Sequence, residues 1–311
     1  MQPTMYLIIT FDTDNDLFIS DESHTLCWKG IEKGILLILE ELQGIEDSFG
    51  EEIKFTWFVR ADNQLKTIYG DATYLLEKYN SLWKDLKSGG DEIGWHPHIY
   101  RLDGGKWKLE RRDDYLEKNL VESYEAVIKY FNITSARMGE SFHSNRSMNV
   151  LDKLGIKVDS TALPDRKRND NERFFNWIGT PEHPYHPSKN DYRTPGTDEL
   201  SILEVPMSTI RMKTSYDVTP LNRYVNLSFY SNLMKEGIKE LVKNKDIVVT
   251  ITHPYEILPL YPKKHPLISF NIHEAKKNLF NIIKKCNEIN RPYKFITISE
   301  VPNIWEKSNE K

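Results

Sequence analysis

The stretch Tyr6-Leu7-Ile8-Ile9-Thr10-Phe11-Asp12-Thr13-Asp14-Asn15-Asp16 limits what this chain can become more than any other. A short, almost wholly apolar run ends in three acids at alternate positions. Such a run reads as a strand buried on both faces. In barrels and open sheets of parallel strands, chemistry gathers at the carboxyl ends of the strands. Carboxylates placed there converge on a metal or act as a base; the plainer alternative is that Asp12, Asp14 and Asp16 cap a turn. Two further strand ends favour the first reading. They are Glu92-Ile93-Gly94-Trp95-His96-Pro97-His98 and Ile251-Thr252-His253-Pro254. Asp, His and His at three strand ends make a site hypothesis.

Strand and helix patterns alternate along the 311 residues, which argues for a parallel, barrel-like sheet. Helical spacing runs from Trp28 to Leu42, from about Asp71 to Leu86, and from Asp113 to Phe131. Short strands are expected at Ile53–Val59, Ser135–Met138 and Ile156–Ser160, with a helix over Asn145–Leu154 stopped by Gly155. Between about 163 and 200 the alternation breaks into a charged patch followed by Trp177, Pro181, His183, Pro184, Tyr185, His186, Pro187 and Tyr192. A segment this long inside a domain is functional or disordered, and its aromatics argue against disorder. It reads as an ordered lid or as a surface meander packed by its own rings. Beyond it, Ile202–Met207 is strand-like, Leu221–Val242 mainly helical, Ile247–Thr252 a buried strand, Ile272–Ile289 a helix and Tyr293–Ile298 a last strand, with a short turn near Trp305. We therefore expect one catalytic domain over 1–311, with the 163–200 segment as a loop insertion.

Composition excludes several classes. A net charge of −4 gives no global basic field for nucleic acid or an acidic membrane surface. No run is long and apolar enough to span a bilayer. Met1-Gln2-Pro3-Thr4 leads directly into the first strand without a leader pattern, and two distant cysteines, Cys27 and Cys286, suit a reducing compartment. A cytoplasmic protein is expected, with self-association left open. The acids imitate an EF-hand, but Leu17 and Ser23 stand where Gly and Glu are needed. Neither a phosphate-binding Gly-rich loop nor a Gly-x-Ser-x-Gly elbow occurs.

Asp, His and one more N or O donor suit Zn²⁺ or a similar divalent ion at an open site. A second carboxylate beside it can take a proton from water, and a separate His can protonate a leaving amine. A nearby Arg137 would hold the base ionised. These parts describe hydrolysis of an amide or ester. His24, His183, His186, His265 and His273 receive no role, while His143 follows the Arg137 strand end and reaches the same mouth.

The assembled strand ends resemble the polysaccharide deacetylase superfamily, the NodB-homology or carbohydrate esterase family four proteins. Thr10-Phe11-Asp12-Thr13-Asp14 is similar to the first motif, and Glu92-Ile93-Gly94-Trp95-His96 to the second. Arg137 with its downstream helix and Val158-Asp159-Ser160 is similar to the third region, and His253-Pro254-Tyr255-Glu256 to the closing His-Pro-x-Glu. Order and spacing agree over roughly residues 5 to 300. The resemblance implies a distorted (β/α) barrel, expected here to have about seven strands in place of the regular eight. It also implies a Zn²⁺-like ion and removal of an N-acyl group, such as acetyl, from a sugar or sugar-containing intermediate of surface-glycan assembly.

By the same resemblance Asp12 is the general base, His253 the general acid and Arg137 the orienting cation, with Asp14 and His96 on the metal. The family's second histidine falls at Tyr100 here, and His98 is the substitute, with His143 and Asp16 as competing third ligands. Met138-Gly139-Glu140 replaces the usual proline and aromatic of the third motif, while the backbone N–H groups after Arg137 remain available to hold an oxyanion. Trp57, Trp95, Trp177 and Tyr185 are candidates to stack on a sugar, with core packing the alternative for each and the favoured reading for Trp57 and Trp95. Other C–N hydrolysis on the same fold (a formyl group or cyclic amide) and a degraded glycan-binding homologue are the rival readings.

Overall fold

The computed structural model describes residues 2–16, 26–42, 45, 50–170, 173–259 and 265–309, so the Ser20–His24 loop lies outside the described residues. The chain divides into two compact units. The first draws on the chain up to Asp16, on Cys27–Phe55 and on Met207–Thr297; the second is built on Thr56–Pro206 with the stretch from Ile298 onward.

In the first unit the strand Met5–Asp12 pairs in parallel with Ile247–Thr252, in register from Tyr6 opposite Ile247 to Phe11 opposite Thr252. It also pairs in parallel with Tyr293–Phe295. Leu7, Ile8, Ile9 and Phe11 are buried on both faces of this strand, as a continuous apolar run requires. The expected Trp28–Leu42 helix forms as a π-helical turn over Gly30–Gly34 followed by an α-helix over Ile35–Leu42, which buries Ile35, Ile38 and Leu42. A Cβ on Gly34 would lie 2.3 Å from the Pro254 carbonyl oxygen, so the glycine permits a close approach to the residue after His253.

One expectation in this unit fails. Leu221 does not open a helix: Leu221–Tyr224 is a strand antiparallel to Thr209–Met212, and the helix covers Ser231–Asn244. Residues 225–229 are all buried, and apolar Val225, Leu227 and Phe229 alternate with polar Asn226 and Ser228, a spacing that does not fit the 3.6-residue helical period. The Ile272–Glu288 helix packs on Ser231–Asn244.

In the second unit Phe55–Arg60, Glu92–His96, Ser135–Ala136, Val158–Asp159 and Leu203–Glu204 pair in parallel in that order. Among the described residues the seven parallel strands expected are present, these five and two in the first unit, where Tyr293–Phe295 is an eighth. Helices cover Asn63–Tyr69, Tyr74–Lys78, Asn80–Ser88, Asp113–Val127 and Asn145–Lys153. The Asn63–Tyr69 helix escaped the sequence reading; its start is marked by Asp62, whose carboxylate accepts from the Leu65 N–H at 3.0 Å. Also unforeseen is the hairpin Tyr100–Asp103 with Lys106–Leu109, turned at Gly104-Gly105 with both φ positive.

The described part of the 163–200 segment contains the small hairpin Lys167–Asn169 with Phe174–Asn176. Its Trp177, Tyr185 and Tyr192 are packed inward, with Trp177 edge-on to Tyr192 at 4.9 Å. The tail forms a helix over Val301–Asn309 in place of a short turn. Among the described residues no helix is long and apolar enough to cross a membrane, and Cys27 and Cys286 are unbridged.

Candidate active site

In the first unit the pairing of Phe11 with Thr252 releases Asp12-Thr13-Asp14 beside His253. Asp12 is buried, and Asp14 Oδ2 lies 3.6 Å from His253 Nε2. On the other side of that ring, His253 Nδ1 meets Glu256 Oε1 at 3.0 Å. Glu256 is buried and ringed by donors: the His253 N–H, Asn226 Nδ2 at 2.7 Å and Ser228 Oγ at 3.0 Å all reach Oε2. Burial opposes the Glu256 charge, but the adjacent His253 and these donors hold its carboxyl below the usual range. Burial likewise opposes the His253 cation. The Glu256 charge and hydrogen bond, then Asp14 and Asp12, outweigh it and push His253 up to about 9. Asp16 has a different task. Its two oxygens accept from Lys29 N and Gly30 N at 2.6 and 2.7 Å, so it caps the start of the π-helical turn.

In the second unit His96 ends its strand with Nδ1 at 2.7 Å from the Arg137 carbonyl oxygen. A carbonyl only accepts, so Nδ1 carries the hydrogen and Nε2 is left with its lone pair. That Nε2 faces His98 Nε2 at 3.1 Å. Two imidazole nitrogens so close require a proton or a cation between them. Ligand bonds of about 2.0–2.1 Å in a tetrahedral zinc site separate neighbouring donors by about 3.3 Å. The pair thus suits a shared ion. His98 reaches this position because Gly139 has no side chain: a Cβ there would lie 2.4 Å from the imidazole. The His98 N–H also points to Asp62 Oδ2 at 3.3 Å, and Asp62 pairs with Arg60 at 2.8 Å.

Arg137 is buried across the Phe58 ring, with Nε donating to the Ser160 carbonyl at 2.7 Å and Nη2 to Ser160 Oγ at 3.0 Å. His143, a competing third ligand, has both ring nitrogens engaged, Nδ1 by Ser147 Oγ at 2.8 Å and Nε2 by Asp159 Oδ2 at 3.0 Å. Burial works against the Asp159 charge, and His143 leads the groups that hold it ionised. Its neighbour Glu204 is pushed well above the carboxylate range, by burial first and by the Asp159 charge second. Thr161 Oγ1 donates to Asp159 Oδ1 at 2.9 Å and accepts from the Met138 N–H at 2.8 Å.

One sequence expectation needs correction here, and one open choice is resolved. The backbone N–H groups after Arg137 are not open donors, since Met138 N is bonded to Thr161 and Gly139 N to the Pro97 carbonyl at 2.9 Å. The sugar-stacking candidates are core residues. Trp57, Trp95 and Trp177 donate their indole N–H to Asp91, the Ala61 carbonyl and the Ser141 carbonyl, and Tyr185 donates to the Tyr192 carbonyl. Missed altogether were Asn226 and Ser228 on Glu256, Asp62 beside His98, and the contact of Gly139 with His98. Only Gly139 left a trace, as a glycine two residues past Arg137.

A scan of family models finds no match, and neither does a search of curated proteins. Solved structures are more informative. A Mycobacterium smegmatis protein described as a polysaccharide deacetylase is 14% identical over 99% of this chain and 92% of its own, with a TM-score of 0.53. A 4-alpha-glucanotransferase from Thermococcus litoralis is 13% identical over 96% of this chain and 40% of its own, at a TM-score of 0.50. A family 4 carbohydrate esterase from Streptomyces lividans is 10% identical over 94% and 93%, at a TM-score of 0.42 too low to add weight. At such identities a likeness speaks for architecture, and the chain has the distorted (β/α)-barrel fold of the polysaccharide deacetylases.

Proposed function

We propose that this chain is a single catalytic domain that hydrolyses an N-acyl group, acetyl first among them, from a sugar or sugar-containing intermediate of surface-glycan assembly in the cytoplasm. In this reading Asp14, His96 and His98 hold a divalent ion of the Zn²⁺ type. Such an ion supplies Lewis-acid polarisation of the acyl carbonyl and acidifies a water. Asp12 takes a proton from the attacking water as oxygen joins the carbonyl carbon. As the carbon–nitrogen bond breaks, His253 passes its Nε2 proton to the departing amine, and the acid leaves as carboxylate. Glu256 aims His253 through Nδ1, the part an orienting acid plays for a catalytic histidine. Arg137 positions His96 through its carbonyl, and in this reading it is also the orienting cation.

The observation that carries the reading is the His96–His98 pair, with Nε2 atoms 3.1 Å apart and the His96 tautomer set by the Arg137 carbonyl. The fold alone does not choose the reaction, because it also serves a glucanotransferase. Metal content by mass spectrometry, on wild type and His98→Ala side by side, is the first test. About one equivalent in wild type, lost in the variant, is expected. Product release is then measured on N-acetyl sugars, N-formyl sugars and cyclic imides. Turnover of the last two alone replaces deacetylation with another C–N hydrolysis. A wild type that cannot be loaded with metal and turns over nothing makes the protein a glycan binder.

A further inference from the structure

The second unit holds a cavity of about 600 Å³ apart from the histidine pair, within the usual size for a small-molecule pocket. Arg101, Lys108, Arg111 and Arg112 line it, against Glu110 as the one acid. Four cations to one carboxylate is a local excess of three positive charges in a chain whose net charge is −4. Lys108, Arg111 and Arg112 are exposed and Arg101 is half-buried, and one acid orders the arginines. Glu110 is buried at the base, where Oε1 accepts from the Arg111 and Arg112 N–H groups at 2.9 and 3.0 Å. Its Oε2 meets Arg101 Nε at 2.7 Å and Arg112 Nε at 3.2 Å. Burial opposes the Glu110 charge, but these donors hold its carboxyl at about 2, so it stays an acceptor that fixes two guanidinium groups. Arg111 lies over the Phe174 ring, 4.5 Å from its centre. Lys108 also reaches Asp103 at the hairpin turn, at 2.9 Å.

The cavity is tied to His98 from two directions. The Glu110 N–H bonds to the Ile99 carbonyl at 2.8 Å, one residue past His98. The N–H of Phe142, another lining residue, bonds to the carbonyl of Gly139, the residue against His98. A ligand bridging cavity and histidines would carry its negative group on the arginines and its neutral acyl group at the ion.

We propose that this cavity is a subsite for an anionic group, phosphate or carboxylate, borne by the sugar substrate, so that the enzyme acts on charged glycan intermediates in preference to neutral ones. Prearranged guanidinium forks suit either oxyanion through paired N–H donors. The proposal rests on the deacetylase reading for its reaction, but the anion site is measurable without it.

Calorimetry of the full chain, stripped of metal with a chelator, uses inorganic pyrophosphate in one arm and glucuronate in the other. Saturable binding of either is expected, weakened at least about tenfold in Arg111→Ala/Arg112→Ala, and which anion binds separates phosphate from carboxylate. Binding of neither, or binding indifferent to the double substitution, overturns the subsite. On metal-loaded enzyme, kcat/KM for N-acetylglucosamine 1-phosphate is expected to exceed that for N-acetylglucosamine by about tenfold or more, a preference that collapses in the double variant. Equal use of the two sugars overturns the substrate preference. Anion binding that needs the arginines, without deacetylation of either sugar, refutes the reaction while the anion site stands.

Discussion

The two units bring their site residues to strand ends by different means. In the first, Met5–Asp12 and Ile247–Thr252 run side by side through a main-chain ladder before releasing Asp12 and His253. In the second, Glu92–His96 has such a ladder with Phe55–Arg60, but around Arg137 the strands Ser135–Ala136, Val158–Asp159 and Leu203–Glu204 are two residues long each, and Glu92–His96 meets Ser135–Ala136 in a single pair, Trp95 with Ala136. What the short ladders omit, buried side chains supply. Arg137 is tied to Ser160, Met138 to Thr161, Thr161 to Asp159 and Asp159 to His143. A ladder is insensitive to side-chain replacement. A buried polar network is not, because removing one member leaves others desolvated without partners.

Asp159→Ala gives the sharpest break in that comparison. It leaves His143 and Thr161 without their shared acceptor and is expected to destabilise the protein by about 2–5 kcal/mol, from buried donors left unsatisfied at about 1–3 kcal/mol each. Urea unfolding reads the loss directly. A change under 1 kcal/mol would show that the short strands hold themselves together. Gly139→Ala acts on a single contact. Its Cβ must displace the His98 ring, for an expected cost of about 1–3 kcal/mol from overpacking and a loss of bound metal larger than the loss of stability. Full metal occupancy in that variant would mean His98 is not a ligand.

The smallest effect concerns acid. Glu110 has its folded pKa depressed to about 2, so its contribution to stability is fully present above the unfolded value near 4.5 and is lost as pH falls through about 2. Glu110→Gln is therefore expected to lower stability by about 1–2 kcal/mol at pH 7, a modest figure because the partner arginines are largely solvated. The gap between wild type and variant narrows between pH 4.5 and 2, as thermal melts across that window will show. A gap constant with pH would mean that Glu110 contributes by packing.

How much of this was readable along the chain follows the same division. Asp12 and His253 stand at the ends of long apolar runs, and such runs declare themselves as buried strands. Glu256 was legible as part of His253-Pro254-Tyr255-Glu256. The two-residue strands around Arg137 carry too little periodicity to mark their ends, and the strand Leu221–Tyr224 was taken into a mainly helical segment. The Gly104-Gly105 turn was a usable hairpin signal that went unread.

Residue type and order determined by themselves the parallel α/β class, the candidate Asp and His groups and the kind of chemistry they suit, because burial patterns and ligand chemistry are local properties. Only the tertiary structure decided which groups remain available for that chemistry. Asp16 is bound to a helix start, His143 to Asp159 and Ser147, and the N–H groups after Arg137 to Thr161 and Pro97. Tertiary structure likewise brought Phe142 and Phe174 to the cations that the Tyr100–Leu109 hairpin and its exit gather in one cavity. Whether a polar group acts on a ligand or serves the fold depends on its hydrogen-bond partner, and a buried group takes that partner from wherever the packed chain places one.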